Sequence, residues 1–167
     1  MKVLAHDLEP AVFAGLFPGI GADVTVFDQT CDIHACVGCF GCWTKTPSTC
    51  VIKDDFRRMG ALYDQCEEMI IITNCTYGCY SPFIKNVMDR SINWLLPFIV
   101  KRNGEMHHPR RYENRFKLTT YFYGEDVTEA EKHTARRLLE ANKVNMDASQ
   151  ATFGFYNNVQ ELKGVAL

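Results

Sequence analysis

Met69-Ile70-Ile71-Ile72 is the stretch of sequence that decides the fold. A continuous apolar run of this kind predicts a strand that is covered on both faces, as in the middle of a parallel sheet. Ser81-Pro82 follows as a helix-capping residue with a proline at the first helical position, and Ile84, Val87 and Met88 then recur at helical spacing. A strand followed by a helix is the repeating unit of an α/β fold.

The same alternation extends in both directions from this stretch. Short apolar segments predict two strands before it, at 2–5 and 23–27, and two after it, at 116–123 and 151–156. Helices are predicted at 11–17 and 82–97. Two more are predicted from capping signals: one from an N-cap at Asp54 to Tyr63, and one after the capping box Thr128-Glu129-Ala130-Glu131. The polar segment 100–114 predicts a long connection. We therefore expect one domain, residues 1–167, with a flavodoxin-like three-layer α/β sandwich and a five-stranded parallel sheet of order 2-1-3-4-5.

Composition narrows the cellular setting. The chain has 167 residues, 47% of them hydrophobic, and a net charge of −2, which gives no sign of attraction to nucleic acid or to a membrane. Asp7, Glu9 and Pro10 interrupt the first apolar stretch, so no signal peptide is predicted. We expect a cytoplasmic protein whose eight cysteines are thiols or metal ligands rather than disulfides.

The segment C-V-G-C-F-G-C-W-T-K-T-P-S-T-C places Cys36, Cys39, Cys42 and Cys50 at a spacing of C-x2-C-x2-C-x7-C. Three thiols on one tight loop and a fourth after a turn are typical of the ligands of an iron–sulfur cluster. Structural zinc usually takes two separated pairs of ligands, and a C-x-x-C redox dithiol needs only two of the four thiols. A cluster, zinc, a dithiol redox sensor and free thiols all remain open at this point.

The ligand site of a doubly wound sheet lies beyond the carboxyl ends of its strands. Three loops are predicted there: the loop after the first strand, the cysteine loop after the second, and Asn74 to Cys79 after the third. We therefore expect the four cysteines to lie on the rim of this ligand site.

Several segments together resemble a known family. C-V-G-C-F-G-C-W, the later C-V-I-K-D-D, and I-K-N-V-M-D-R resemble the NAD(P)H-dependent FMN reductase-like branch of the flavodoxin superfamily, and the cysteine spacing is similar to that of its iron–sulfur flavoproteins. The resemblance covers residues 24–92. It implies an oxidoreductase or electron-transfer protein that uses FMN and a [4Fe-4S] cluster, exchanges electrons with a small-molecule or protein redox partner, and forms a homo-oligomer.

The resemblance also assigns residues. It implies that the loop contacting the flavin ring is Asn74, Cys75, Thr76, Tyr77 and Gly78, and that the cluster ligands are Cys36, Cys39, Cys42 and Cys50. Lys85, Asp89 and Arg90 match the helix that follows the flavin loop, and we interpret them as members of ion pairs rather than as catalytic groups.

One loop departs from the family pattern. His6-Asp7-Leu8-Glu9-Pro10 replaces the usual loop rich in glycine and hydroxyl groups, so it offers two carboxylates, and Pro10 lacks an N–H donor. A phosphate about 4 Å from a carboxylate would be repelled by roughly 4 kcal/mol per pair of unit charges. An alternative function is therefore a binding or structural subunit that has lost FMN. Arg110 and Arg111 are candidates for replacing the missing phosphate contacts.

Overall fold

The computed structural model describes residues 1–167. The strands are β1 (Lys2–His6), β2 (Val24–Phe27), β3 (Glu68–Asn74), β4 (Val100–Arg102), β5 (Glu105–His107), β6 (Lys117–Tyr123) and β7 (Gln150–Tyr156). The helices are α1 (Pro10–Leu16), α2 (Gly41–Thr44), α3 (Met59–Asp64), α4 (Pro82–Arg90) and α5 (Glu129–Met146), with 3₁₀ helices at Ser91–Trp94 and Val159–Leu162. None of these helices is both long and apolar enough to span a membrane.

Five strands form one parallel sheet in the order β2-β1-β3-β6-β7. Counting only the strands of this sheet gives the order 2-1-3-4-5. The full numbering differs because β4 and β5 form a separate antiparallel hairpin, within the segment for which the sequence predicts only a polar connection. The α/β class and the parallel sheet are therefore confirmed.

Hydrophobic side chains cover the sheet on both faces. On β3, Met69 and Ile71 belong to the larger of two buried clusters, together with residues of α3, α4 and α5. Ile70 and Ile72 belong to the smaller cluster, together with Leu16 of α1. Because successive side chains of a strand point to opposite faces, the apolar run at the centre of the sheet supplies both cores and β3 is covered on each side.

One of the two helix starts predicted at Thr128 and Asp54 is confirmed and the other is wrong. The capping box at Thr128 is confirmed, because its hydroxyl accepts from the Glu131 amide and the Glu131 carboxylate accepts from the Thr128 amide. The N-cap at Asp54 is wrong, since α3 begins only at Met59, after an N-cap at Arg58. The Asp54 carboxylate accepts from the Phe56 amide at 3.2 Å, but that amide belongs to a turn before the helix, and the carboxylate is also bound by Arg90 of α4.

The helix predicted to reach Pro97 is also shorter than expected. α4 ends at Arg90 and continues as the 3₁₀ helix Ser91–Trp94. Ser91 donates its hydroxyl to the Val87 carbonyl, and Gly60 of α3 donates its amide to the Asn93 side chain at 2.9 Å. A Cβ atom on Gly60 would lie 2.7 Å from the Asn93 carbonyl oxygen, so α3 and the 3₁₀ helix are in backbone contact.

Candidate functional site

The four cysteines of the motif line a single narrow cavity. Cys36, Cys39, Cys42 and Cys50 surround it together with Arg90. The cavity has a volume of about 20 Å³, which is room for about one water molecule. The structure therefore brings together all four predicted ligands, although no group of three or more Cys, His, Asp or Glu side chains is already arranged as the ligands of one metal ion.

A buried ion pair holds the two ends of the cysteine segment. The Arg90 side chain is 1% exposed, and its guanidinium donates to Asp54 Oδ1 at 2.7 Å and to the His34 carbonyl at 2.6 Å. Burial alone would raise the pKa of the Asp54 carboxyl, but hydrogen bonds from Arg90 and from the His34 amide bring that pKa below its usual value. Arg90 thus ties the chain just before Cys36 to the chain just after Cys50.

Hydrogen-bond donors lie beside two of the four sulfur atoms, whereas a third is buried. The Arg90 guanidinium lies beside the Cys50 thiol, and its buried Nε has no hydrogen-bond partner. Gly41 donates its amide to Cys39 Sγ at 3.5 Å. Burial raises the pKa of Cys42, which keeps that thiol protonated unless a cation binds it. An unpartnered buried donor beside four thiols suits a group bound by thiolates, and the cavity of about 20 Å³ would have to widen to admit an iron–sulfur cluster.

Phe40 lies on the outer side of this cavity and stacks on a second aromatic residue, Trp43. Phe40 has a left-handed backbone, with a φ of 53°, and its ring stacks on Trp43 at 5.2 Å between centroids. Trp43 donates its indole N–H to the Leu95 carbonyl at 2.9 Å, which fastens α2 to the end of the 3₁₀ helix. Phe40 and Val37 line the cavity and are also exposed, so the four-cysteine cavity lies close to solvent.

The expected location of the cysteines is wrong. They lie at the carboxyl end of α4, against Arg90 and the 3₁₀ helix, rather than on the rim of the strand ends. Ser81, which caps the other end of α4, lines a separate crevice at the carboxyl ends of the strands. Nine residues of helix between Ser81 and Arg90 correspond to about 14 Å. The loop after β2 extends to the carboxyl end of α4 because Arg90 binds the loop backbone at His34 and the Asp54 carboxylate. These partners are far from Arg90 in sequence, so no local sequence pattern predicts the contact.

The strand-end crevice has a volume of about 340 Å³, within the range of small-molecule sites. Its lining is polar and contains no lysine or arginine: Asp7, Gln29, Asn74, Thr76, Ser81, Pro82, Phe83 and Tyr123. This is the position at which a doubly wound sheet binds its ligand.

Asp7 forms the floor of the crevice. Its Oδ2 accepts from the Thr73 hydroxyl at 2.8 Å and from the Asn74 amide at 2.9 Å, and its Oδ1 accepts from the Tyr123 hydroxyl at 2.8 Å. Burial, and then the nearby Asp7 charge, raise the pKa of Tyr123, so this hydroxyl stays a donor. The carboxylate therefore joins the ends of β1, β3 and β6.

A flavin phosphate held by the loop after the first strand, as the resemblance implies, would lie near this floor. The loop from β1 to α1 contains only Asp7, Leu8 and Glu9, and Glu9 makes no side-chain cap. Pro10, the first residue of α1, has no N–H to donate. Because the loop supplies a fixed carboxylate and no hydroxyl, the residues present do not fit the phosphate of FMN.

The predicted flavin loop is only partly turned toward the crevice. Asn74 and Thr76 line it, whereas Cys75 is buried and burial raises the pKa of its thiol. Tyr77 lies at the tip of the turn with a φ of 52° and is 87% exposed. Gly78 is in contact with α5, where a Cβ atom would lie 2.7 Å from the Glu131 carbonyl oxygen.

His6 lies directly before the floor residue. It is fully buried, stacks on Phe13 at 3.8 Å between ring centroids, and has no hydrogen-bond partner on either ring nitrogen. Burial lowers the pKa of His6, and the carboxylates of Asp28 and Asp7 only partly oppose this effect. The imidazole is therefore neutral at ordinary pH.

The charged residues of α4 act as ion-pair members, as interpreted from the sequence. Lys85 and Asp89 form an exposed pair one turn apart on the helix, whereas the Arg90 pair with Asp54 is buried. The structural importance of Arg90 has no sequence signal, because its partner lies 36 residues away.

Arg110 and Arg111 do not replace the missing phosphate contacts. Arg110 pairs with Asp147, which follows the carboxyl end of α5 and precedes β7. Arg111 donates to the Asn93 and Leu95 carbonyls of the 3₁₀ region. Both arginines thus lie toward the amino edge of the sheet, opposite to the crevice, and the hypothesis that they bind the flavin phosphate is wrong.

Comparison with known proteins identifies the fold. No family model matches the sequence, and no curated protein is significantly similar to it. General stress protein 14 from Treponema denticola, solved in complex with FMN, is similar with a TM-score of 0.57 and 10% identity, over 98% of this chain and 92% of that chain. An NADPH-quinone reductase from P. pentosaceus has a TM-score of 0.55 and 11% identity, over 98% and 89% of the two chains.

A third solved structure agrees with these two. The FMN-dependent NADH-azoreductase of Bacillus anthracis, in complex with FMN, has a TM-score of 0.52 and 9% identity, over 92% of this chain and 85% of that chain. Similarity at this level of identity establishes the fold. The chain therefore has a flavodoxin-like fold.

Proposed function

We propose that this protein is an oxidoreductase or electron-transfer protein whose redox group is a [4Fe-4S] cluster bound by Cys36, Cys39, Cys42 and Cys50. The observation that carries the proposal is the convergence of these four thiols on one cavity beside a buried guanidinium with an unpartnered Nε. If the cysteines were neutral thiols, Asp54 alone would balance the charge of Arg90. Thiolates would add negative charge and accept a hydrogen bond from Arg90 Nε.

The residues of the chain would hold and tune this centre. Bound at the four thiolates, a cluster supplies one-electron redox chemistry whose potential depends on hydrogen bonds to sulfur and on solvent exposure. The Gly41 amide already donates to Cys39 Sγ, and Arg90 adds positive charge on the buried side. Val37 and Phe40 form the solvent-facing side, through which a small-molecule or protein redox partner would exchange electrons.

Anaerobic reconstitution with iron and sulfide tests the proposal. We expect about four iron and four sulfide per chain and a broad visible absorbance that bleaches on reduction. Cys50→Ser should lose most of the iron. Cys66→Ser is the matched control, because Cys66 is a buried cysteine outside the cavity, where burial raises the pKa of its thiol to about 11.

The same preparation separates the cluster from other uses of the thiols. Retention of one zinc instead of iron would replace the cluster by a zinc site. A change of mobility on a non-reducing gel after oxidation, without bound metal, would favour a dithiol sensor. A colourless protein that retains no iron under anaerobic conditions would contradict the proposal.

A second candidate function is an NAD(P)H-dependent flavin oxidoreductase, although the loop after β1 does not fit the phosphate of FMN. It is favoured by the similarity, over nearly the whole chain, to two structures solved in complex with FMN. The opposing alternative is a binding or structural subunit that has lost FMN, favoured by the position of Asp7. Extraction and quantification of flavin from freshly purified protein distinguishes them.

A further inference from the structure

The Asp7 carboxylate is held rigidly at the floor of the strand-end crevice. Hydrogen bonds from Thr73, Asn74 and Tyr123 occupy both of its oxygens, and its side chain therefore cannot turn away from an arriving ligand. All of these donors are neutral, so the negative charge is stabilised and is not cancelled. An anion that enters the crevice meets this charge directly.

Lysine and arginine are absent from the loops at this edge, and Lys132 in the first turn of α5 is paired with Glu129. The loops that follow the five strands of the sheet, at 7–9, 28–35, 75–81, 124–128 and 157–161, contain no lysine or arginine. They contain six carboxylates near the strand ends: Asp7, Glu9, Asp28, Glu125, Asp126 and Glu161. Proteins bind phosphate with arginine, lysine or free backbone amides, and these loops contain neither of the two side chains.

The helix N-termini at this edge offer fewer amides than an open helix end. α1 starts with Pro10, and it is only seven residues long. α4 starts with Pro82, and the Ser81 hydroxyl already accepts from the Ile84 amide. At α5, the capping box uses the Glu131 amide and adds a carboxylate. At each of these helices a proline or a capping side chain therefore removes at least one of the amides that could face an anion.

We infer that the strand-end crevice takes only ligands without a phosphate group, and that Asp7 is the residue that excludes phosphate. Gln29 already donates its amide to the Asp7 carbonyl, and the Thr76 hydroxyl donates to Asn74 Oδ1. Gln29 Oε1 and Asn74 Nδ2 are left to hydrogen-bond an uncharged or cationic ring compound. This inference concerns a site separate from the four-cysteine cavity, and it does not depend on whether a cluster is bound there.

FMN and riboflavin form a matched pair for the test, since they share the same ring and differ in the phosphate. Flavin fluorescence titrations on the iron-free protein would measure both dissociation constants. We expect riboflavin to bind and FMN to bind more weakly, and the absence of binding by both flavins would count against the inference. FMN binding at least tenfold tighter than riboflavin would overturn the inference.

The assignment to Asp7 is tested with Asp7→Asn, which keeps an acceptor oxygen and removes the charge. We expect the affinity for FMN relative to riboflavin to rise by about tenfold. Tyr123→Phe is the control, because it removes one hydrogen bond to Asp7 and keeps the carboxylate, so the ratio should not change. An unchanged ratio in Asp7→Asn would show that Asp7 does not exclude phosphate.

Folding of the variants does not limit this test. Glu9 is exposed at the start of α1, so Glu9→Gln removes a second carboxylate from the same loop without disturbing a buried contact. It should shift the ratio in the same direction by a smaller factor. The wild-type comparison of the two flavins needs no variant, and iron content reports separately on the proposed cluster.

Discussion

The two ends of α4 carry buried charges of opposite sign. At its carboxyl end Arg90 lies against the four-cysteine cavity with an unpartnered donor, whereas at its amino end the crevice has Asp7 bound only by neutral donors. The first environment favours additional negative charge, and the second opposes it. The comparison teaches that one helix separates a site suited to thiolate ligands from a site that is unsuited to phosphate.

The largest expected effect is the loss of Arg90. Arg90→Met leaves the Asp54 carboxylate buried without its charged partner, and we expect a loss of about 3–5 kcal/mol in the free energy of unfolding. Urea denaturation of the metal-free protein measures it. Because Arg90 also joins the chain on both sides of the cysteine segment, iron retention after reconstitution should fall in the same variant.

Lys85→Met on the same helix is the matched control. The Lys85 pair with Asp89 is exposed, and exposed pairs of this spacing contribute about 0.3–0.5 kcal/mol. Similar losses of stability in the two variants would show that the buried pair is not special and would remove the contrast between the two ends of α4.

A somewhat smaller effect is expected at the other end. Asp7→Ala deprives Thr73, Asn74 and Tyr123 of their shared acceptor, and we expect a loss of about 2–4 kcal/mol. Thermal or urea denaturation measures the change. Glu125→Ala, in the exposed loop after β6, should change stability by less than about 0.5 kcal/mol. If Asp7→Ala changed the free energy of unfolding as little as Glu125→Ala, the hydrogen bonds of the Asp7 carboxylate would not stabilise the ends of the three strands.

The smallest effect is a pH dependence from His6. Burial holds the pKa of His6 below its usual value, so the unfolded chain binds a proton at a higher pH than the folded protein does. Stability should therefore decrease as the pH falls below about 6.5, with a slope of at most about 1.4 kcal/mol per pH unit from this residue, until His6 is protonated in the folded state as well.

Denaturation of His6→Phe between pH 7.5 and pH 5 measures this contribution. The variant should lose that part of the slope, because phenylalanine preserves the stacking on Phe13 and cannot take up a proton. His133→Asn is the control at an exposed histidine of α5 and should keep the wild-type slope. Parallel pH profiles for His6→Phe and the wild type would contradict the prediction.

Local patterns predicted much of the fold. The apolar run of β3 and the capping box at Thr128 depend on residues within one element, so the sequence displays them directly. The convergence of the four cysteines was also predictable, because their short spacings leave the loop few alternatives. These features needed no knowledge of distant contacts.

Long-range partners explain what sequence reasoning missed. Asp54 has the pattern of an N-cap, yet its carboxylate binds Arg90, and this contact carries the cysteine loop to the far end of α4. Asp7 was predicted to repel phosphate, but its bonds to Thr73 and Tyr123 depend on strand neighbours that are distant in sequence. Side chains that join separate elements leave no periodic signal.

Gly60 lies outside the four-cysteine cavity but contacts Asn93, which lines it. Its amide and its missing side chain let α3 lie directly on the backbone of Asn93, and Ile92 and Asn93 line the cysteine cavity. An added methyl group would push the 3₁₀ helix by a fraction of an ångström, against a cavity of only about 20 Å³. The spacing between the sulfur atoms is thus mechanically coupled to a helix that contains no cysteine, and a substitution there would alter the thiols without touching them.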